Sequence, residues 1–559
     1  MFSALSRLPL VALYRREFAE YSWAVFQRDL LAGLTVGAVG LPLALAFGVA
    51  SGATAAAGMV TAILSGLLIA GLGGAAYQIS GPTGAMSAVL IVLAQRYGLP
   101  GVWVAGLMAG LFLVLLGVFR LGRYISFIPS PVITGFTSGI ALIIAIGQID
   151  NFLGVTTPKA DTSLDKLLFY FTHLVVPDWH ALALAGVVMA TMLIAPRISK
   201  AIPGSLIGLI LATLLAVVAG WQVPIIGAIP RTIVLDQRLT LGAIPWGALA
   251  DLLPPAISIA ALGGIESLLC GAVGSTMTGK PLDSNQELIG QGIGNMVIPF
   301  FGGVPATAAI ARTSVGVKSG GITRVTSFVH SGVLLLSVLA LAPLIGRIPL
   351  AALAGVLLLT AWRMNEWEAI RFFARARLKH ALTGMLVTMV ATVALDLTQA
   401  ILIGIAISAL IYISQSAGSV GVTSEPVNLD RLKQIGHRLL TTDSSVHIYY
   451  LTGPLFFGSV STVLEAFKNA GDWRALIISM RGVPMIDAMG IQALDQIVET
   501  QRHRGGQVCF SSLQPAVRDM FARTGMLERV GEQNIFWSAD QAIVALHAEV
   551  SPTEHAPAG

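Results

Sequence analysis

Apolar runs long enough to cross a bilayer recur along the first three quarters of this chain, and that repetition decides what it can fold into. A spanning helix needs about 20 mostly apolar residues, and in lipid its backbone groups find partners only within the helix itself. Runs that qualify in full, or as shorter and broken helices, lie near 30–50, 57–73, 79–95, 102–119, 128–148, 180–196 and 203–220. A second set lies near 250–274, 287–301, 305–317, 323–345, 348–362, 380–396 and 398–416, making fourteen. A conventional soluble enzyme is excluded, because only 11% of the 559 residues are charged against about 25% in a typical soluble domain. The charge is also uneven. The last 139 residues hold 25 charged side chains and the first 420 hold 38, so a membrane domain precedes a slightly acidic soluble one.

Orientation follows from the basic residues. With the N-terminus in the cytoplasm, sixteen Lys and Arg, Lys200 and Arg363 among them, fall on cytoplasmic loops and six, Lys159 among them, on the opposite face, which favours both termini inside. Arg7, Arg15, Arg16 and Arg28 precede the first run, and no cleavable signal is expected there. The stretch 164–174 is amphipathic and is expected to lie at the membrane interface. A pI near 9.3 reports these membrane loops, so no nucleic acid is expected as a partner. Two cysteines, Cys270 and Cys509, cannot make a disulfide framework and suit a reducing compartment.

The fourteen runs divide into seven and seven, and the halves share a peculiarity. The third run opens with Gln78-Ile79-Ser80-Gly81-Pro82-Thr83-Gly84, and the tenth with Gly302-Gly303-Val304-Pro305-Ala306-Thr307. Short, Gly/Pro-interrupted segments at matching places in two halves point to a transporter's binding site. A helix that starts near the midplane presents free N–H groups and a positive dipole end, which suits an anion. Two ionisable residues lie deep in neighbouring runs, Glu266 in the eighth and Arg312 in the tenth. Such residues are costly in lipid and usually functional. They could form a structural ion pair, or Arg312 could attract an anion while Glu266 takes a coupling cation or proton. His330, in the eleventh run, reads as a packing residue. No GxxxxGK[ST], HExxH, CxxC or GxSxG occurs, so neither catalysis nor a cofactor nor a dedicated metal site is expected. The glycine runs near 71–74 and 290–294 read as close helix packing.

The string Asn285-Gln286-Glu287-Leu288-Ile289-Gly290-Gln291-Gly292-Ile293-Gly294-Asn295 resembles the N-x-E-L-x-x-x-G-x-x-N signature of the SulP anion transporters. Leu41-Pro42-Leu43-Ala44-Leu45-Ala46-Phe47-Gly48 resembles that family's first span, and Ser80-Gly81-Pro82-Thr83-Gly84 its third. The resemblance covers about residues 25–550. It implies an α-helical polytopic membrane protein of 14 spans, built as a 7+7 inverted repeat with core and gate domains and half-helices in spans 3 and 10. It further implies an elevator-like motion of the core past the gate. Carried onto this chain, the substrate shell is Ser80, Gly81, Thr83 and Gly84 with Ala311, Arg312 and Thr313, and the proton or cation position is Glu266. Pro42, Asn285, Glu287 and Asn295 are then structural or gating residues.

Some positions depart from the family's sodium-coupled bicarbonate transporters. Those carry Asp, a Thr four residues on, and Gly-Thr in span 10, where this chain has Glu266, Cys270 and Arg312-Thr313. A thiol is a poor sodium ligand, so a sodium ion near Glu266 is the weaker reading. The combination of 265–270 with 306–312 is more similar to the branch containing dicarboxylate transporters, where an arginine can hold a carboxylate or sulfate bidentately. Some members carry a glutamate after the first-span proline, where this chain has Leu43.

The tail reads as strands at 446–451, 475–480 and 507–511 with a helix at 491–503. It resembles the STAS domain of SulP C-termini, yet the loop Asp487-Ala488-Met489-Gly490 lacks the phosphorylatable serine of related antagonists. Asp487 reads as an N-cap. The expected layout is a cytoplasmic segment 1–27, a transport domain 28–418, a cytoplasmic α/β STAS domain 437–550 and a disordered tail 551–559. The expected function is proton-coupled uptake of sulfate, a C4-dicarboxylate or bicarbonate across the inner membrane, by a homodimer in the lipid bilayer. A cytoplasmic protein or a nucleotide is a possible partner at the STAS domain. Alternatives are sodium-coupled bicarbonate symport, anion exchange, a nucleobase permease of the same fold, or a membrane-anchored STAS regulator.

Overall fold

Polar caps set where several of the apolar helices begin. In the computed structural model, Ser22, Thr54 and Thr83 accept from the backbone N–H of Val25, Ala57 and Met86, which satisfies donors the first helical turn would leave bare. Residues 9–123, 129–158, 163–199, 203–240, 242, 244, 246–395, 397–426, 445–468, 471 and 473–548 are described. Expectations placed on Arg7, Lys159, Lys200, 437–444 and the tail 551–559 lie outside the described residues. The chain divides into two units after Ala406.

The principal helices of the first unit are α1 (Pro9–Glu17), α2 (Trp23–Ala50), α3 (Ala55–Leu72), α4 (Gly84–Val118), α5 (Ser130–Gly147), α6 (Ser163–Thr172), α7 (Trp179–Ile198) and α8 (Gly204–Val218). They continue with α9 (Leu249–Thr278), α10 (Ser284–Val297), α11 (Ile310–Lys318), α12 (Val325–Ile345), α13 (Leu350–Met364) and α14 (Lys379–Ala394), while α15 (Leu397–Gly418) runs across the division. Each of the fourteen apolar runs falls on a helix. Two of them, near 79–95 and 102–119, share α4, which is broken at Gly98 by a left-handed backbone (φ 68°) next to Pro100. Among the described residues, seven helices are long and apolar enough to cross a membrane by length and composition. Large apolar side chains such as Leu67, Leu111, Ile194 and Leu336 on them, and Leu214 and Val390 on the shorter α8 and α14, stand exposed, as a lipid-facing surface requires. The amphipathic α6 also leaves Leu168 and Phe171 exposed.

These helices pack in two groups. In one, α4 lies along α9 and α10, and α2 packs on α3, α11 and α12; in the other, α13 joins α5 and α7, with α14 on α5 and α8 on α7. The first group needs close backbone approach. A Cβ on Gly58 would lie 2.0 Å from the Ala44 carbonyl oxygen, so only glycine lets α3 cross α2 there.

The second unit is an α/β layer. Strands β3 (Gly421–Pro426), β4 (Val446–Thr452), β5 (Ala475–Gly482), β6 (Gln507–Ser511) and β7 (Ile535–Phe536) form one sheet in that order, with β3 antiparallel to β4 and the rest parallel. Alternation along β5 sends Ala475 and Ile477 to one face with Ala542, Ile543 and Leu546, and Leu476 and Ile478 to the other with Val463, Leu494 and Phe521. The expected strands and helix are present, with the helix spanning Ala488–His503. Strand β3 adds an edge N-terminal to residue 437.

His447 of β4 stacks on Trp473 at 4.3 Å and 12° and shares a hydrogen bond with Ser424 Oγ. Burial lowers its pKa. A lowered folded-state pKa means the unfolded chain binds the proton better, so stability present above the unfolded value, about 6.5, is lost as pH falls below it. Thermal unfolding followed at pH 7.5 and 5.5 is expected to show this loss, and His447→Gln is expected to flatten the slope.

Candidate functional site

The two interrupted segments meet. Ser80–Gly81 (β1) and Thr307–Ala308 (β2) form an antiparallel pair, Ser80 opposite Ala308 and Gly81 opposite Thr307. Immediately after each strand a helix begins, α4 behind Thr83 and α11 behind Ala309. The pairing therefore brings two helix N-termini to one place, each with unspent backbone N–H groups and a positive dipole end. Both line a cavity of about 580 Å³, to which Thr83, Gly84, Ala311, Arg312 and Glu266 contribute.

Thr83 Oγ1 accepts from Met86 N and donates to Glu266 Oε2 at 3.1 Å. The Arg312 guanidinium is 1% exposed; Nη2 donates to the Pro82 carbonyl at 2.7 Å, and Nη1 has no protein partner. Glu266 and Arg312 thus face one cavity without forming an ion pair to each other. The other expected substrate residues lie behind the cavity wall. Ser80 Oγ accepts from Gln291 Nε2, Gly81 packs under Arg312, and Thr313 Oγ1 accepts from Ile79 N and from the Cys270 thiol. Cys270 is therefore committed to holding α9 against α11. His330 is buried with its ring on Gly40 and lies outside the cavity lining. Pro42 is a buried interior residue of α2.

The signature residues are fasteners. Glu287 Oε2 accepts from Gly74 N and Ala75 N, and Oε1 accepts from Gln78 Nε2 and Gln291 Nε2. Asn295 accepts from Ala306 N and donates to the carbonyls of Ala306 and Gln291. Helix α10 consequently holds the lead-in to α4 with one side chain and the lead-in to α11 with another. Asn285 Oδ1 accepts from Gly122 N. Ser267 Oγ bonds Thr307 Oγ1, and the Ser267 carbonyl accepts from Gln78, which ties Glu266's own turn to both lead-ins. In the second unit, Asp487 caps its helix through Gly490 N and also accepts from Phe457 N.

Sequence reasoning missed two charged residues of the cavity lining. They are Arg363 and Glu366, although counting placed Arg363 on a loop. A charge within the last turn of an apolar helix, as in Thr360-Ala361-Trp362-Arg363, was the available signal. Among the described residues no group of three or more His, Cys, Asp or Glu is placed to hold a metal ion.

Comparison with known proteins agrees with this architecture. The sulfate permease family profile matches residues 26–392, and the STAS domain profile matches 438–542. The chain is 35% identical over 537 residues to YvdB of Bacillus subtilis (strain 168), a protein named for sulfate transport, covering 94% of this chain and 98% of that one. It is 31% identical to the bicarbonate transporter BicA of Picosynechococcus, covering 92% and 94%. Its fold matches the murine Slc26a9 anion transporter in the inward-facing state with a TM-score of 0.85 at 19% identity, covering 98% and 95%. The chain, with its paired broken helices fastened by α10, belongs to the sulfate permease family and carries a C-terminal STAS domain.

Proposed function

We propose that this protein is a secondary active transporter that takes up a small anion — sulfate, a C4-dicarboxylate or bicarbonate — together with a proton. The observation that carries the reading is the cavity in which Arg312, with an unpartnered amino group, and Glu266 face the two helix N-termini. An anion there meets a charged fork and two positive dipole ends at once. Glu266 is held by a neutral hydroxyl, not by a cation, so it is free to exchange a proton as the substrate arrives. With the Cys270 thiol bonded to Thr313, a hard-cation cage of the sodium type has less support. The helix group of α2, α3, α4 and α9–α12 is the moving core, and the group of α5, α7, α8, α13 and α14 the gate past which it travels. Residues 28–418 form the transport domain and 437–550 the STAS domain. The assembly is a homodimer in the inner membrane with both termini cytoplasmic.

Uptake into proteoliposomes tests the reading. Labelled sulfate, succinate and bicarbonate are each offered with an imposed proton gradient or an imposed sodium gradient. Accumulation is expected with the proton gradient, and absence of uptake of all three overturns the reading. Glu266→Gln is expected to abolish concentrative uptake while downhill anion exchange continues. A sodium gradient that drives uptake without a pH gradient removes Glu266 from the role of proton carrier.

A further inference from the structure

Arg312 is not the only arginine at the cavity. Arg363, an exposed residue in the last turn of α13, lines the same cavity, and its Nη2 donates to the carbonyl of Met192, another lining residue, at 2.9 Å. Among the described residues no carboxylate pairs with Arg312 or with Arg363. Glu366, three residues on, is engaged instead by Thr134 Oγ1 at 2.5 Å. Two guanidiniums therefore face one space of about 580 Å³ without a direct ion pair, although the carboxylates of Glu266 and Glu366 line it too. They also belong to different helix groups, since α11 packs on α9 and α2 while α13 packs on α5 and α7.

Much of the remaining lining is apolar, with Leu43, Phe47, Met192, Val315 and Met364 among its residues. A compact monovalent anion can satisfy one guanidinium and leaves the other without an anionic partner. An anion with two separated negative groups joined by a short hydrocarbon satisfies both forks and fills the apolar stretch. Resting on the transporter reading above, we propose that Arg363 is a second anion-binding residue, which selects substrates carrying two separated negative groups, such as a short dicarboxylate. Because Arg363 sits on the gate group, it engages the substrate only while core and gate stand as they do in this structure. Arg312 belongs to the core and keeps its contact throughout.

The test compares half-saturation for succinate, sulfate and bicarbonate in proteoliposomes of the full chain. Losing one charge-assisted contact raises half-saturation by about tenfold or more, so Arg363→Gln is expected to do this for succinate and to leave bicarbonate nearly unchanged. Arg363→Lys, which keeps the charge without the fork, is expected to recover part of the loss; should the glutamine variant fail to reach the membrane, a smaller deficit confined to succinate in the lysine variant is the supporting result. An equal change for succinate and bicarbonate, or no change for succinate, overturns the proposal. A wild-type protein that carries sulfate or bicarbonate but not succinate also overturns it and leaves the transporter reading intact. Uptake of none of the three anions removes both.

Discussion

Glu287→Ala is expected to prevent the protein from accumulating in the membrane. The carboxylate accepts four N–H donors, two from the backbone at Gly74 and Ala75 and two from the amides of Gln78 and Gln291. Glu287 is 1% exposed, so water does not replace it. Each orphaned donor costs about 1–3 kcal/mol, and four together approach the roughly 5–15 kcal/mol that holds a typical domain folded. Shape compounds the loss. Gly290 of α10 lies where a Cβ would come within 2.6 Å of Gly73, so the carboxylate is clamped where helix and loop nearly touch. Glu287→Gln is expected to be milder. Its amide oxygen can still serve one pair of donors, and Gln78 Oε1 and Gln291 Oε1 are both without partners, able to turn and accept from the new amide. That turn breaks the Gln78 bond to Ser267 and the Gln291 bond to Ser80, which loosens β1 and slows transport. Membrane yield and thermal unfolding in detergent measure the first effect, and uptake rate the second. An alanine variant as stable as the parent would show that Glu287 does not fasten the lead-in.

The same network explains what could be read from the sequence and what could not. Helix positions were legible because hydrophobic burial and backbone satisfaction in lipid leave one solution for each long apolar run. The tail strands were legible because buried β5 is a continuous apolar run bounded by loops. The lead-ins to α4 and α11 stood out because glycine and proline interrupt an apolar run at matching places. Their antiparallel pairing did not, since Ser80 and Ala308 are 228 positions apart in the chain and nothing local to either encodes the other. Glu287 and Asn295 were visible as a signature without a role, because their partners lie on distant backbone groups rather than on complementary side chains. Arg363 was assigned by charge counting to a loop. Counting sorts charges by side of the membrane and does not tell that the exposed Arg363, at a helix end, also lines a cavity. The missing interaction between Glu266 and Arg312 has the same origin, for depth in neighbouring helices fixes proximity but not which of Thr83 and Pro82 each side chain chooses.

Arg312→Gln is expected to abolish anion uptake while the protein still folds, and a substitution that leaves every charge in place separates that result from damage to the fold. Removing the guanidinium takes away the one fork on the core side of the cavity, a loss of about 1.5–3 kcal/mol for a hydrogen bond to a charged group and more where water is excluded. It also leaves the Pro82 carbonyl without its donor, so the glutamine variant alone would confound binding with local disorder. Gly81 narrows the ambiguity, because every charge stays in place even though moving Nη2 also weakens its bond to Pro82. A Cβ there would lie 2.4 Å from Arg312 Nη1 and 2.9 Å from Nη2. The obstructed atoms are the far end of a long side chain, which swings aside at little cost to folding, and β1 keeps its backbone bonds to β2. Gly81→Ala is therefore expected to unfold near the parent's temperature yet to need about tenfold more anion for half-saturation, because the guanidinium is displaced from the helix N-termini. Thermal unfolding in detergent and concentration-dependent uptake measure the two quantities side by side. If Gly81→Ala transports with unchanged half-saturation, the position of Arg312 does not set anion affinity, and the positive ends of α4 and α11 hold the substrate without it.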